Sequence, residues 1–297
     1  MAKAAARDGS RAVLDAESAA WIDGLGSSDP NGAVAELHAL LLRAARVELS
    51  RRAPRVGIGG QEVDDLAHQA ADDAVVSILR RLPEFRGDSR FTTWAYKFAI
   101  LEVSSKLGRH FWTTRSDIAL DVDQWERLPS RLGMTPESAA EGADLLAAVQ
   151  TAVETTLTKR QRDIFVALVQ DGIPLDALVL ENGTDRNAIY KVMFDARRKI
   201  RAALVTNGYL VDRSEVRTMS GDDARRAFDR FLQTDPADVG CEQAMAMLHA
   251  YVDLVAVHEG PEARYRGVTA HLRACGPCGE DYEGLLLTIR ETDTRHG

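Results

Sequence analysis

Residues 157–204, LTKRQRDIFVALVQDGIPLDALVLENGTDRNAIYKVMFDARRKIRAAL, carry the strongest fold signal in the chain. Thr158 is a suitable N-cap for a first helix, which Gly172 ends. A short helix follows and ends at Asn182 and Gly183, and a longer helix comes after it. A short helix, a glycine-containing turn and a longer helix make the pattern of a helix-turn-helix motif.

The last helix of this motif is both basic and amphipathic. In a recognition helix one face packs on its own domain, while Arg, Asn and Lys side chains reach bases and phosphates. An ordinary helical bundle with a solvated basic face would show the same pattern. The basic residues are Arg186, Lys191, Arg197, Arg198, Lys199 and Arg201, against one acid, Asp195, and the apolar face is Ile189, Val192, Met193 and Ile200.

Helical periodicity extends over most of the chain, and no alternating strand pattern or internal repeat accompanies it. Apolar residues recur every three or four positions in residues 33–53 and 62–82, and a third helix is predicted at 90–110. Residues 113–142 lose this periodicity and gain Pro, Gly and acidic residues, which predicts a flexible linker. The expected fold class is therefore all-α, with two helical domains, a linker and a small helical C-terminal domain.

The charge of the chain is unevenly distributed. The 297 residues have a formal net charge of −8, yet residues 1–112 contain fifteen basic and fifteen acidic residues. Residues 213–297 contain ten basic and fifteen acidic residues, so the acidity lies mainly in the tail. The apolar runs are too short to span a bilayer, and the N-terminus lacks a secretory signal. We expect a cytoplasmic protein without a membrane partner, in which thiols stay reduced.

Aromatic and basic residues alternate in residues 85–112, FRGDSRFTTWAYKFAILEVSSKLGRHFW. Aromatic rings that stack on unpaired bases, beside cations that hold phosphates, suit single-stranded nucleic acid. Trp94 and Phe98 are four residues apart on one helix face, which favours a place in the core. Lys97, Lys106 and Arg109 are predicted to lie on the exposed side as phosphate contacts.

Two of these segments resemble one family. FRGDSRFTTWAYKFA, residues 85–99, resembles region two of the extracytoplasmic-function sigma factors of bacterial RNA polymerase, and residues 157–204 resemble region four. The order of the segments and the intervening linker also match. The resemblance implies polymerase binding by Asp64, Asp65 and Leu66. It implies −10 element binding by Arg90, Trp94, Lys97, Lys106 and Arg109, and −35 element binding by Arg186, Asn187, Tyr190, Lys191, Arg197 and Arg198.

The cysteines of the chain are confined to its tail. His271 and Cys275 are four residues apart, Cys278 follows three later, and Cys241 lies upstream. Three thiolates and an imidazole are the donor set of a closed tetrahedral Zn2+ site. His249 or His258 is an alternative to His271, and three unligated cysteines with an incidental histidine are the plain alternative. A thioredoxin-like redox motif would need a strand-helix-strand pattern, which is missing here.

The tail also resembles a family. CEQAMAMLHAYVD, residues 241–253, and VTAHLRACGPCGEDYEGLL, residues 268–286, are similar to the zinc-binding anti-sigma domain, a small helical fold that captures sigma factors. The domain is usually a separate protein or part of a membrane protein, whereas here it follows the sigma regions, from which we infer an intramolecular contact with them. Regulation by that contact is the favoured interpretation. A structural zinc site that only stabilises the tail, or contacts polymerase, is the alternative.

These observations predict a sigma factor that directs promoter-specific transcription with RNA polymerase core and promoter DNA as partners. A DNA-binding regulator without polymerase binding, or a sigma-like decoy, is the alternative. An enzyme is not expected, because the chain lacks a Gly-rich phosphate loop, a convincing nucleophile-base set and an open metal site. The predicted segments are an N-terminal extension (1–30), region two (31–112), the linker (113–142), region four (143–210), a helical connector (211–240) and the zinc-binding domain (241–297).

Overall fold

A computed structural model describes residues 14–114, 142–170, 173–210, 228–229 and 231–296, and all regular structure in these ranges is helical. The predicted all-α fold class is confirmed for this part of the chain. The predicted linker lies almost wholly outside the described residues, as do residues 1–13 of the N-terminal extension and residues 211–227 of the connector. Within the described ranges, no helix has the length and apolar character that crossing a membrane requires.

Eleven α-helices have both ends among the described residues, and residues 228–229 and 231–232 are helical as well. The eleven helices are α1 (Ala16–Leu25), α2 (Asn31–Arg52), α3 (Gln61–Arg81), α4 (Phe91–Thr114), α5 (Ala143–Thr156), α6 (Lys159–Phe165), α7 (Leu175–Glu181), α8 (Arg186–Thr206), α9 (Gly240–Ala256), α10 (Arg266–Ala274) and α11 (Gly276–His296). Short 3-10 turns follow α2 and α3, and a π-helical segment, Val166–Gln170, follows α6.

The chain forms two compact units. The first unit comprises Met1–Lys106, Ala246–Ala263 and Asp281–Gly297, and the second comprises Leu107–Met245 and Arg264–Glu280. Residues of the predicted zinc-binding segment, 241–297, belong to both units.

The first unit has an apolar core to which α2, α3 and α4 contribute. Leu37, Leu41 and Ala45 of α2 are fully buried, as their spacing predicts. Trp94 and Phe98 are also buried and their rings pack at 4.8 Å between centroids, which confirms their predicted place in the core. Aromatic side chains thus fix α4 in this unit through burial and edge-to-face packing.

A buried charge network adds to the first unit. The Glu48 carboxylate of α2 accepts hydrogen bonds from Arg51 and Arg52, and Arg52 also donates to Asp281 Oδ1 at 3.1 Å. Ser104 of α4 donates to the same Asp281 oxygen at 2.5 Å, and the side chains of Glu48 and Asp281 are wholly buried. Burial raises the pKa of Glu48, although the Arg51 and Arg52 guanidinium groups act to lower it.

The second unit contains the predicted helix-turn-helix pattern. Thr158 caps α6 by accepting from the Gln161 amide, and the Gln161 side chain accepts from the Thr158 amide, which completes a capping box. The first helix was predicted to run to Gly172, but it changes to π-helix at Val166, and the Ile173 amide donates to Ala167 O at 2.8 Å. Pro174 then disfavours helical backbone at the residue before it, so the chain leaves the helix here.

The longer helix of the motif, α8, begins where the Asp185 carboxylate accepts from the Ala188 amide at 2.7 Å. Ile189, Met193 and Ile200 are buried, which confirms the apolar face predicted for α8. They join a core to which Leu145, Val149, Ile164 and Phe165 of the preceding helices contribute.

Candidate metal centre and residues predicted to bind DNA

Four buried donor side chains meet in the second unit. Cys241 lies at the start of α9, His271 in α10, Cys275 just after α10 and Cys278 in the first turn of α11. Their ligand atoms all lie within 4.8 Å of one another, and the Cys241 and Cys275 sulfur atoms are 3.9 Å apart. The predicted group of Cys241, His271, Cys275 and Cys278 is therefore confirmed as a cluster that could hold a metal ion.

The two alternative histidines lie elsewhere. His249 belongs to the first unit, where its Nδ1 is 3.2 Å from Lys97 Nζ. His258 is exposed and has a left-handed backbone, with φ of 61°. His271 is thus the imidazole of the cluster.

Local backbone features explain the geometry of the cluster. Helix α10 ends as Cys275 adopts an extended conformation, and the Gly279 amide then donates to Cys275 O at 2.9 Å. This turn carries Cys278 back toward His271. Gly267 in α10 allows a close approach to the loop before α9, because a Cβ there would lie 2.4 Å from Val239 Cγ1 and 2.7 Å from Ala237 O.

Asp238 in that loop orients His271. Asp238 Oδ1 lies 2.9 Å from His271 Nδ1 and also accepts from the Gly240 amide at 2.8 Å. A carboxylate can only accept, so the proton of this bond resides on His271 Nδ1. His271 Nε2 is buried and has no hydrogen-bond partner among the described residues. Its position in a group of three sulfur atoms fits a metal ligand.

The three thiols of the cluster shift one another's pKa in opposite directions, raising the pKa of Cys241 and Cys278 and lowering that of Cys275. Hydrogen bonds from the Cys241 and Cys278 thiols hold the pKa of Cys275 well below the usual value of a cysteine, although burial opposes this. Burial lowers the pKa of His271, but the hydrogen bond to Asp238 and the neighbouring Cys241 and Cys275 together outweigh it and raise the pKa to about 11. A metal ion that replaces the Nε2 proton leaves the bond between Nδ1 and Asp238 intact.

Residues predicted to bind the −35 element contact this cluster or its neighbours. The Tyr190 hydroxyl donates to Asp238 Oδ2, and the Tyr190 ring stands edge-on to the His271 ring, with 4.5 Å between centroids. Arg197 donates to Ala274 O at 2.5 Å. All of these residues belong to the second unit, so side chains of α8 and of the C-terminal segment form one cluster.

The remaining residues predicted for the −35 element divide into two groups. In the first group, Arg186 forms a bidentate ion pair with Asp176 of α7, in which both N–O distances are 2.6 Å. Asn187 lies close to Gly240, because a Cβ added to Gly240 would be 2.6 Å from Asn187 Oδ1. Lys191 and Arg198 are exposed.

Residues predicted to bind the −10 element lie in the first unit, except Arg109. Arg90 donates to Asp253 through its amide at 2.9 Å and its Nε at 3.0 Å, and the Thr93 hydroxyl donates to the same carboxylate at 2.7 Å. Lys97 lies beside His249.

The predicted exposure of two lysines is wrong. Lys97 is 8% and Lys106 6% exposed, and Lys106 forms an ion pair with Asp73 at 2.5 Å. The physical reason is that α4 is covered on every side, since each residue from Thr93 to Ile100 is buried. Arg109 is exposed, as predicted.

The residues predicted to bind polymerase lie on α3. Asp65 is exposed, and Leu66 is half-buried. Asp64 is half-exposed and forms an ion pair with Arg46 of α2 at 2.6 Å.

Asp238 and Asp253, which lie in the C-terminal part of the chain and contact residues predicted to bind DNA, were not predicted from the sequence. Asp238 precedes α9 and accepts from the Gly240 amide, so an acidic residue just before a predicted helix was an available signal. Asp253 lies within α9, and only the general acidity of the tail pointed to it.

Comparison of the chain with models of protein families gives no match, and comparisons with curated proteins and with solved structures give none either.

Proposed function

We propose that the chain is an RNA polymerase sigma factor whose C-terminal segment binds zinc and holds the side chains that would otherwise bind promoter DNA. One observation carries the proposal. In each compact unit, C-terminal side chains contact residues for which the family resemblance implies DNA binding: Asp253 contacts Arg90 in the first unit, and Asp238 and His271 contact Tyr190 in the second.

The metal cluster suits zinc. In a tetrahedral site with Zn–S distances of about 2.3 Å, the sulfur atoms are about 3.8 Å apart. The Cys241 and Cys275 sulfur atoms are separated by 3.9 Å. Thiolates favour zinc over magnesium or calcium, and four protein donors leave no coordination position for a reacting water. We therefore assign a structural and regulatory ion to this site.

The contact at Arg90 explains how an acidic segment would oppose DNA binding. Asp253 accepts hydrogen bonds from both the amide and the guanidinium of Arg90. A phosphate group would accept from the same donors, because carboxylates and phosphates are alternative acceptors for arginine. Asp253 and a DNA phosphate would compete for Arg90.

The contact at Tyr190 has the same consequence for the second unit. The Tyr190 hydroxyl donates a hydrogen bond to Asp238, and the Tyr190 ring packs on His271. While these contacts are in place, the Tyr190 side chain is unable to contact a base. Lys191 and Arg198 are exposed, and Arg198 pairs with Asp195 at 3.3 Å, so Lys191 is the more available of the two for a weaker phosphate contact. Release of the C-terminal segment would then add Tyr190 to these two.

Polymerase binding is proposed for the exposed face of α3. Asp65 is exposed, and two apolar side chains on the same helix, Val76 and Leu79, are 65% and 38% exposed. Val76 lies about 16 Å from Asp65 along the axis of α3, and exposed apolar side chains on such a face suit a protein partner.

Run-off transcription tests the proposal directly. The full chain is mixed with RNA polymerase core and a library of genomic promoter fragments, with and without a zinc chelator. We expect discrete transcripts that increase when the chelator removes zinc. The Asp65→Arg variant, altered at an exposed position of the first unit, should give no transcripts. Absence of transcripts under both conditions, together with absence of binding to core polymerase, would contradict the proposal.

A pull-down with core polymerase separates the sigma factor from a helix-turn-helix regulator. A regulator would bind duplex DNA and leave polymerase in solution, and Asp65→Arg would change neither result. A sigma factor would retain core polymerase and lose it on Asp65→Arg.

A further inference from the structure

A chain of contacts joins the metal cluster to α8. His271 presents Nε2 to the three sulfur atoms, and its Nδ1 bonds to Asp238 Oδ1 at 2.9 Å. Asp238 Oδ2 accepts from the Tyr190 hydroxyl, and the Tyr190 ring packs on the His271 ring. Tyr190 is 5% exposed and the Asp238 side chain 2% exposed, so water has little access to these bonds.

We infer that Asp238 and Tyr190 are positioning residues of the metal site, and that zinc binding and the docking of Tyr190 are thermodynamically coupled. Zinc is held more tightly while Tyr190 is docked, and Tyr190 is held more firmly while zinc is bound. The regulatory consequence of this coupling rests on the proposed function, because Tyr190 is a residue predicted to bind DNA.

The physical basis is the orientation of one imidazole. A ligating histidine usually donates its other ring N–H to a carboxylate, which fixes the ring and strengthens the donor atom; loss of the carboxylate typically weakens metal binding by about 10–100-fold. Asp238 fills this role for His271. Tyr190 in turn fixes the second oxygen of Asp238, so the carboxylate stays aimed at Nδ1.

The coupling is reciprocal by thermodynamic necessity. If docking of Tyr190 raises the affinity for zinc by some factor, zinc raises the stability of the docked Tyr190 by the same factor. A ligand that captures the undocked Tyr190 must then weaken zinc binding. Under the proposed function, duplex promoter DNA is such a ligand.

Zinc affinity of the intact chain, without DNA or polymerase, tests the inference. Zinc is titrated in competition with a chromophoric chelator for wild type, Asp238→Asn, Tyr190→Phe and the double variant. We expect Asp238→Asn to weaken zinc binding by about 10–100-fold. Tyr190→Phe keeps the ring and removes one hydrogen bond to a charged group, which predicts about tenfold weaker binding.

The double variant distinguishes coupling from two separate effects. If Tyr190 acts through Asp238, the double variant should bind zinc no more weakly than Asp238→Asn alone. Tyr209→Phe is the matched control, because Tyr209 packs against the core of the same unit without joining the Asp238 network, and it should bind zinc like wild type.

Two results would overturn the inference. The first is that Tyr190→Phe binds zinc as tightly as Tyr209→Phe does. The second is that the fold-loss of zinc affinity in the double variant equals the product of the two single fold-losses. Tyr190→Phe is the decisive variant if Asp238→Asn fails to fold, since it leaves the bond between Asp238 and His271 in place. Failure of transcription would leave these results unaffected, so the coupling and the proposed function fail separately. Adding duplex DNA to the zinc titration then tests the reciprocal effect.

Discussion

Replacing Lys97 with methionine should stabilise the first unit at neutral pH. The Lys97 ammonium is buried, and its hydrogen-bond partner is His249 Nδ1 at 3.2 Å. Burial, followed by the positive charge of Arg81, lowers the pKa of Lys97 from 10.5 to about 8, and Glu84 opposes this only in part. Burial and Lys97 together lower the pKa of His249 to about 3, so that imidazole is neutral and accepts from Lys97.

The size of the effect follows from the pKa. A fall from 10.5 to about 8 is about 2.5 units, and at 1.36 kcal/mol per unit it corresponds to about 3 kcal/mol. Below pH 8 both the folded and the unfolded states carry the proton, so the folded state bears the whole cost of the buried charge. A methionine of similar length removes that cost.

The dependence on pH has a defined sign. Between pH 8 and 10.5 the folded state has lost the Lys97 proton while the unfolded state retains it. The unfolded state then binds more protons, so the contribution of Lys97 to the free energy of unfolding rises with pH across this window. Lys97→Met should abolish this rise.

Urea unfolding followed by tryptophan fluorescence measures both effects, because Trp21 and Trp94 lie in the first unit. With an m-value of about 2 kcal/mol/M, a gain of about 3 kcal/mol raises the midpoint by about 1.5 M at pH 7. Arg80→Met, at an exposed position of the same unit, should change stability by less than about 0.5 kcal/mol. A lower midpoint for Lys97→Met at pH 7, or a gain over wild type that does not shrink between pH 8 and 10.5, would refute the reasoning.

Three other variants probe the remaining contacts. Asp281→Asn leaves the buried Arg52 guanidinium with a weaker, neutral acceptor. We expect the free energy of unfolding of the first unit to fall by about 3 kcal/mol, which lowers its thermal midpoint by about 6–12 °C. Asp253→Ala removes a part-exposed ion pair worth about 1 kcal/mol, which corresponds to about fivefold tighter binding of a single-stranded oligonucleotide. Fluorescence anisotropy measures this binding, and an unchanged affinity would argue against competition for Arg90. Cys278→Ser should weaken zinc binding by more than about 100-fold in the chelator titration, because even residues outside the coordination sphere typically contribute about 10–100-fold. Retention of wild-type zinc affinity would exclude Cys278 as a ligand.

Local features of the fold could be predicted from the sequence. The cap of α6 depends on Thr158 and Gln161, three residues apart, and the structure has the predicted cap. The spacing of His271, Cys275 and Cys278 likewise brings three donors together within two turns of chain. In both cases the interacting groups are near neighbours in sequence, so backbone geometry alone decides the contact.

Contacts between distant residues escaped prediction. Asp253 meets Arg90 across 163 residues of chain, and Tyr190 meets Asp238 across 48. The burial of Lys97 depends on such contacts too. The periodicity of α4 shows that the helix has an apolar face, but gives no sign that other segments cover its remaining faces.

Because every thiol of the chain lies in one buried cluster, the reactivity of its thiols reports on the opening of that cluster alone. The chain contains three cysteines, and all three are the buried donors Cys241, Cys275 and Cys278. A thiol-directed reagent added to the intact chain has no other place to react, so its rate measures how often this cluster opens. The same reagent would count the opened molecules in a mixture with nucleic acid, which has no thiols, without any added label.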